Sequence, residues 1–145
     1  MNNPSLLAAL SNRRIFIVYR LVAGENGKTD KIPMDPRSGY DIDAQNPANW
    51  LLPDDALEAV DVWTLSGFTY PTLGYGVGLV IHPDTKFFFL DLDSCREGGG
   101  WQPHAVAFLG RFPRAAREVS VSGTGLHVFG SYTGERPLHR VKNKD

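Results

Sequence analysis

Cysteine is nearly missing from this sequence. Cys95 stands alone, which excludes an internal disulfide and any zinc ribbon or knuckle built on several cysteines, and fits a reducing compartment. Long apolar runs are missing too: those around Phe87–Leu90 and Ala105–Leu109 are of core size, well short of the roughly 18 residues of a membrane-spanning helix. No secretory pattern opens the chain, because the apolar segment Leu6–Leu10 precedes the pair Arg13–Arg14 instead of following it; a cytoplasmic location and no membrane contact are expected. Nor is one sign of charge in excess. With 15 basic against 16 acidic side chains and a net charge of −1, a strongly basic nucleic-acid-coating protein is excluded.

What is present suits one folded domain over residues 1–145. A chain of 145 residues with 42% hydrophobic and 21% charged side chains can bury a sizeable core, but is too short for separate catalytic and substrate domains. Its 15 glycines and 10 prolines favour strands with short connections over a helical bundle. Charge is segregated: residues 1–40 carry six basic and three acidic groups, residues 41–100 two and ten, and residues 101–145 seven and three. Two basic flanks around an acidic middle suit a protein that holds a polyanion beside a cation-loaded centre, and an ordinary mixed surface can segregate in the same way.

Pattern places the elements. A short helix fits Asn3–Ser11, and Arg14–Leu21 is a β-rich run with apolar residues on both faces, the mark of a covered strand. Ala23–Gly39 reads as loop with at most a brief strand at Lys31–Met34. Pro53 opens a helix with Asp54 and Asp55 in its first turn and a stripe of Ala56, Leu57, Val60 and Trp63. Gly76–Ile81 and Lys86–Leu92, separated by His82–Thr85, read as an antiparallel hairpin. Arg96–Gly100 reads as loop, Pro103–Phe112 as helix, and Arg117–Ser122 with Leu126–Gly130 as a strand pair around a Gly-Thr-Gly turn; the last ten residues are polar and expected to fray. There is no internal repeat. The expected fold is α/β, in stricter usage α+β: a mostly antiparallel mixed sheet with flanking helices and the acidic strand central.

Two constellations carry chemistry. Asp91 and Asp93 end the most hydrophobic run, and strand alternation puts both on the face of Phe87 and Phe89. Two such carboxylates about 5 Å apart repel by about 3 kcal/mol at an effective dielectric near 20. A divalent cation removes that cost, and hard oxygen ligands suit Mg2+ or Mn2+, whose shell water and phosphate oxygens complete. Solvated acids closing a strand in a turn fit the same pattern. The second constellation is Ser122-Gly123-Thr124-Gly125-Leu126-His127, in which glycines admit backbone N–H groups to an anion while Ser122, Thr124 and His127 add side-chain donors. A plain hairpin turn explains the two glycines equally well.

The order of KIPMDPRSG, NPANW, GVGLVI, FFFLDLD and VSVSGTGLHVFG resembles the primase-polymerase domain of the archaeo-eukaryotic primase superfamily, especially that of phage and plasmid replication proteins. The resemblance covers nearly all of the chain. It implies a DNA primase and polymerase, a nucleotidyltransferase of DNA replication, in which Asp91 and Asp93 bind the catalytic Mg2+ or Mn2+. It also implies that Ser122, Gly123, Thr124, Gly125 and His127 hold the phosphates of a dNTP or NTP, and that Lys31 contacts nucleotide or single-stranded DNA template. Asp91, Asp93 and His127 form the implied catalytic set. The family's third carboxylate, on a strand after the histidine, has no counterpart among Glu135 and Asp145 in their polar surroundings. The chain is accordingly expected to be the N-terminal part of a longer protein, with a C-terminal helicase domain or helicase partner implied. The alternative is a non-catalytic nucleotide or single-stranded DNA binding module of the same fold, followed by a metal-dependent phosphodiesterase using the same aspartates.

The remaining candidates have bland readings. His82 and His104 fit solvated turns, Cys95 fits packing, and Trp50, Trp63 and Trp101 fit core anchors, Trp101 being the one best placed to stack on a base. Arg111, Arg114 and Arg117 either track a phosphate backbone or form a solvated face.

Overall fold

The strand expected around RIFIVYRL forms at Phe16–Ala23 (β1) in a computed structural model that describes residues 10–120 and 122–135. The helix expected at Asn3–Ser11 falls, apart from its last two residues, outside the described residues, as do the last ten residues. The described chain forms two compact units, one ending at Val80 and the other beginning at Ile81.

In the first unit β1 is covered on both faces, with Ile15, Phe16, Ile17 and Val18 all buried. It is the middle strand of the order β2-β1-β3 and runs antiparallel to both neighbours, Thr29–Met34 (β2) and Thr72–Leu79 (β3). The brief strand expected at Lys31–Met34 within the Ala23–Gly39 loop forms, and starts two residues earlier, at Thr29. Glu25–Gly27 closes a hairpin as one 3-10 turn, with Gly27 at φ +74°, so Asn26-Gly27 reverses the chain without ending the pairing. Pro33 sits opposite Tyr19 on the outer strand β2, where its missing N–H removes no ladder bond.

The expected hairpin between GVGLVI and KFFFLDL does not form. β3 pairs with β1, and two of its three glycines lie close under that strand: a Cβ on Gly76 would lie 2.5 Å from the Tyr19 hydroxyl, and one on Gly78 would lie 3.3 Å from Ile17. The glycines make room for the large side chains of β1. His82–Lys86 is instead a capped 3-10 turn, in which the His82 imidazole accepts from the Asp84 N–H and the Thr85 hydroxyl donates to the His82 carbonyl at 2.7 Å.

Pro53–Leu65 (α1) begins as expected, with Pro53 in the first position and Asp54 and Asp55 in the first turn. It packs on β3 and β1 through buried Ala56 and half-buried Val60 and Trp63, whose indole N–H donates to the Pro36 carbonyl at 2.8 Å. Leu57, expected in the stripe, is exposed.

The second unit holds a sheet of order β4-β8-β7, all antiparallel: Phe87–Leu92 (β4), Ala116–Val119 (β7) and Leu126–Ser131 (β8). β8, the histidine strand, is central, and the acidic strand β4 is an edge among the described residues; the expected central place for β4 required β3 as its other neighbour. Arg96–Glu97 (β5) and Gly100–Trp101 (β6) form a tight hairpin where loop was expected, because Gly98 and Gly99 both adopt positive φ. Pro103–Leu109 (α2) stops short of Phe112 with Gly110 as cap, since Pro113 disfavours helical backbone at the residue before it. Its Ala105 and Leu109 meet Leu126, Val128 and Cys95 in the core of this unit. The architecture is α+β with antiparallel sheets. Among the described residues no helix is long and apolar enough to cross a membrane.

Candidate functional site

Alternation along β4 sends Leu90 and Leu92 into the core of the second unit and Phe89 and Asp91 to the other face. That second face is solvent-accessible, so the acids do not end a strand buried on both sides. Strand register then assembles a row that the linear sequence hides. Asp91 on β4 lies opposite His127 on β8, and His127 lies opposite Glu118 on β7. The imidazole bridges the two carboxylates: Nδ1 is 2.8 Å from Glu118 Oε1, and Nε2 is 3.6 Å from Asp91 Oδ1. Since a carboxylate only accepts, Nδ1–H donates to Glu118. The His127 side chain is 18% exposed between carboxylates that are 61% (Glu118) and 47% (Asp91) exposed, so the ring is held and the acids reach water.

The neighbouring row is aromatic. Phe89 faces Phe129, with ring centroids 5.1 Å apart, and Phe89 lies 5.1 Å from the His127 ring. At 39% exposure Phe89 keeps part of its ring in solvent.

Asp93 does not share the strand. It follows β4 in a turn with Ser94 at φ +50° and is exposed. Arg96 ties this segment to the SGTG turn: its N–H donates to the Thr124 carbonyl at 3.0 Å and its guanidinium to the Gly123 carbonyl at 3.5 Å. The SGTG turn is internally bonded. Gly123 N–H donates to the Ser120 carbonyl at 2.8 Å, Gly125 N–H to Ser120 Oγ at 2.9 Å, and Thr124 N–H to Ser122 Oγ at 3.4 Å. The hydroxyls of Ser120, Ser122 and Thr124 form a chain with 2.9 Å steps. Of the groups expected to meet an anion, Ser122 and Thr124 thus present hydroxyls at an exposed turn, while the amides of Gly123, Thr124 and Gly125 are engaged within it.

Among the described residues no group of three His, Cys, Asp or Glu side chains is arranged to hold a metal ion. In the Asp91–His127–Glu118 row the imidazole stands between the carboxylates, which prevents them from converging. Asp91 and Asp93 are exposed carboxylates, hard oxygen donors of the kind that Mg2+ or Mn2+ takes.

No family model and no curated protein matches the chain.

Lys31 belongs to the first unit, exposed on β2, with its ammonium 5.2 Å from the centroid of the Tyr19 ring. The DPRSG segment that follows β2 is a turn held by its own bonds: Asp35 Oδ1 accepts from the N–H groups of Arg37 and Ser38, both at 2.8 Å, and Arg20 bonds the Gly39 carbonyl and Asp41. Those two backbone bonds, Ser38 first, hold the Asp35 carboxyl below its ordinary value.

Several bland readings hold. Cys95 is buried in the core and its thiol donates to the Leu92 carbonyl. Trp50 is buried with its indole on the Ala44 carbonyl, and Trp101 packs against the second core with Arg96 over its ring. Arg117 is exposed, and its guanidinium donates to the Leu109 and Phe112 carbonyls, covering the C-terminal end of α2. Glu118 was not singled out by motif. Its signal lay in register: the two strands pair across a turn centred between Ser122 and Gly123, with Val119 opposite Leu126, which sets Glu118 against His127.

Proposed function

We propose that this chain binds a nucleotide on the open face of the β4-β8-β7 sheet and carries metal-dependent, template-directed nucleotidyl transfer, as the primase-polymerase domain of a phage, plasmid or mobile-element replication protein. The observation that carries the reading is the cross-strand pair of Asp91 and His127, two residues 36 positions apart in sequence that share one accessible face. In this reading Asp91 and Asp93 hold Mg2+ or Mn2+. The bound cation supplies charge neutralisation for the α-phosphate under attack by a 3′-hydroxyl and for the departing pyrophosphate. His127 offers its Nε2 edge to a phosphate oxygen, and the hydroxyls of Ser122 and Thr124 offer further donors. Lys31 and a helicase partner belong to the same proposal as contacts to the single-stranded template and to the replication machinery.

The test is primer extension on single-stranded template with Mn2+, using the full open reading frame. Asp91→Ala and His127→Ala should each lower activity by at least about 100-fold, the usual scale for losing a catalytic group. Activity of Asp91→Ala equal to the parent would sink the assignment.

The solvent-exposed part of Phe89 favours a second reading, a non-catalytic module on which a base stacks. Nucleotide binding that is weakened by Phe89→Ala, without synthesis by any version of the protein, selects it.

A further inference from the structure

We propose that the exposed C-terminal half of α1 is a docking surface for a cationic, amphipathic helix of a partner protein. Helical spacing builds it. Ala56, Val60 and Trp63, at i, i+4 and i+7, turn one side of α1 onto β1 and β3. On the other side Val62 and Leu65 are 56% and 88% exposed, and Phe68, exposed as well, follows three residues on. One helical turn before Val62 and Leu65 stand Glu58 and Asp61, both exposed. Contiguous apolar side chains left in water mark an interaction surface.

Charge decides the occupant. Between residues 38 and 85 the sequence holds no lysine or arginine, and α1 carries Asp54 and Asp55 besides Glu58 and Asp61. Residues 62–65 also form the last turn of α1, the negative end of the helix dipole, and that turn has no basic residue of its own. Carboxylates and helix end are both matched by lysine or arginine side chains brought by a partner. The same field turns away a second copy of this face, a nucleic-acid backbone and an anionic lipid surface. A helix is the shape that fits. Laid along α1, it meets Val62, Leu65 and Phe68 with its own i, i+3, i+4 row while its basic flank reaches Glu58 and Asp61. The proposal is independent of the nucleotide site.

The test is an NMR titration of the isotope-labelled full chain with synthetic peptides of about 18 residues, long enough to form a helix, in about 0.15 M salt. One peptide places leucine and lysine so that the helix has a single apolar stripe. The second has the same composition in scrambled order, and the third keeps the stripe with glutamate in place of lysine. The striped lysine peptide should shift the signals of Glu58, Asp61, Val62, Leu65 and Phe68, and the scrambled peptide should bind at least about tenfold more weakly. Val62→Ser and Leu65→Ser change exposed positions and should leave thermal unfolding as in the parent, yet each should weaken the striped peptide by about tenfold. Combining Glu58→Lys with Asp61→Lys should exchange the preference, so that the glutamate peptide binds and the lysine peptide does not. Absence of binding, equal binding of the striped and scrambled peptides, shifts confined to other parts of the chain, or a preference that the charge reversal leaves in place overturns the proposal. So does broadening of the same signals as the protein alone is concentrated, which assigns the face to a second copy. Shifts at the same residues with a single-stranded oligonucleotide overturn it in favour of nucleic acid.

Discussion

Gly123 and Gly125 stand two residues apart in one turn and are required for different physical reasons. Gly123 has φ +76° with nothing within 4 Å of an added Cβ, so its constraint is backbone conformation. At Gly125 the constraint is space, because a Cβ would lie 2.9 Å from both the Leu92 carbonyl oxygen and Ser120 Oγ. Gly123→Asn should therefore be tolerated within about 1 kcal/mol, since asparagine enters the left-handed region readily. Gly125→Asn should destabilise by roughly 1–3 kcal/mol, as overpacking does. Urea denaturation of the two variants checks this, and equal losses would contradict it. Asp35 offers a test in pH. Its folded value lies below the ordinary 3.8, so its contribution is fully present above the unfolded value and is lost as pH falls through the folded one. The stability gap between parent and Asp35→Ala should hold constant from neutral pH to about pH 5 and narrow below pH 4; a gap that widens on acidification would contradict the assignment. Among single positions, Asp91 and His127 were legible because their residue types and motif spacing are local. Glu118 was not, because its meaning depends on which residue the neighbouring strand sets opposite it.

The helix starts at Pro53 and Pro103 and the strands β1, β4, β7 and β8 were readable, since apolar alternation, proline and acidic first turns are encoded within a few residues. Pairing was less so. Two apolar runs adjacent in sequence suggested a β3–β4 hairpin, and the contrary signal, glycines at 76 and 78 that fit under Tyr19 and Ile17, is visible only once the partner strand is known. The same error hid the edge position of β4. Hydrogen exchange tests the observed order. β8 is hydrogen-bonded on both sides, so its successive amides from His127 to Gly130 should all be protected. In β4 and β7 protection should alternate along the strand, because every second amide points away from β8. Uniform protection along β4 would show a further strand beside it and contradict the edge assignment.

Charge is where the two units differ most in what they offer a cation. Of the ten acidic groups between residues 41 and 100, six lie in the first unit, including Asp54, Asp55, Glu58 and Asp61 of α1, and four in the second: Asp84, Asp91, Asp93 and Glu97. A divalent ion drawn only by net charge would favour the acidic helix. A nucleotide-linked cation would favour the sheet face, where Asp91 lies 3.6 Å from His127 and phosphate oxygens would complete the coordination. Mn2+ distinguishes these by broadening the NMR signals of nearby nuclei, so the decisive measurement is a substoichiometric Mn2+ titration of the protein in the presence of a deoxynucleoside triphosphate. The signals of Asp91, Asp93, Ser122, Thr124 and His127 should broaden first, and Asp91→Ala should abolish that selectivity. Broadening that begins at Asp54–Asp61, or that spreads evenly over all exposed carboxylates and is unchanged in Asp91→Ala, would contradict a nucleotide site on the β4-β8-β7 face.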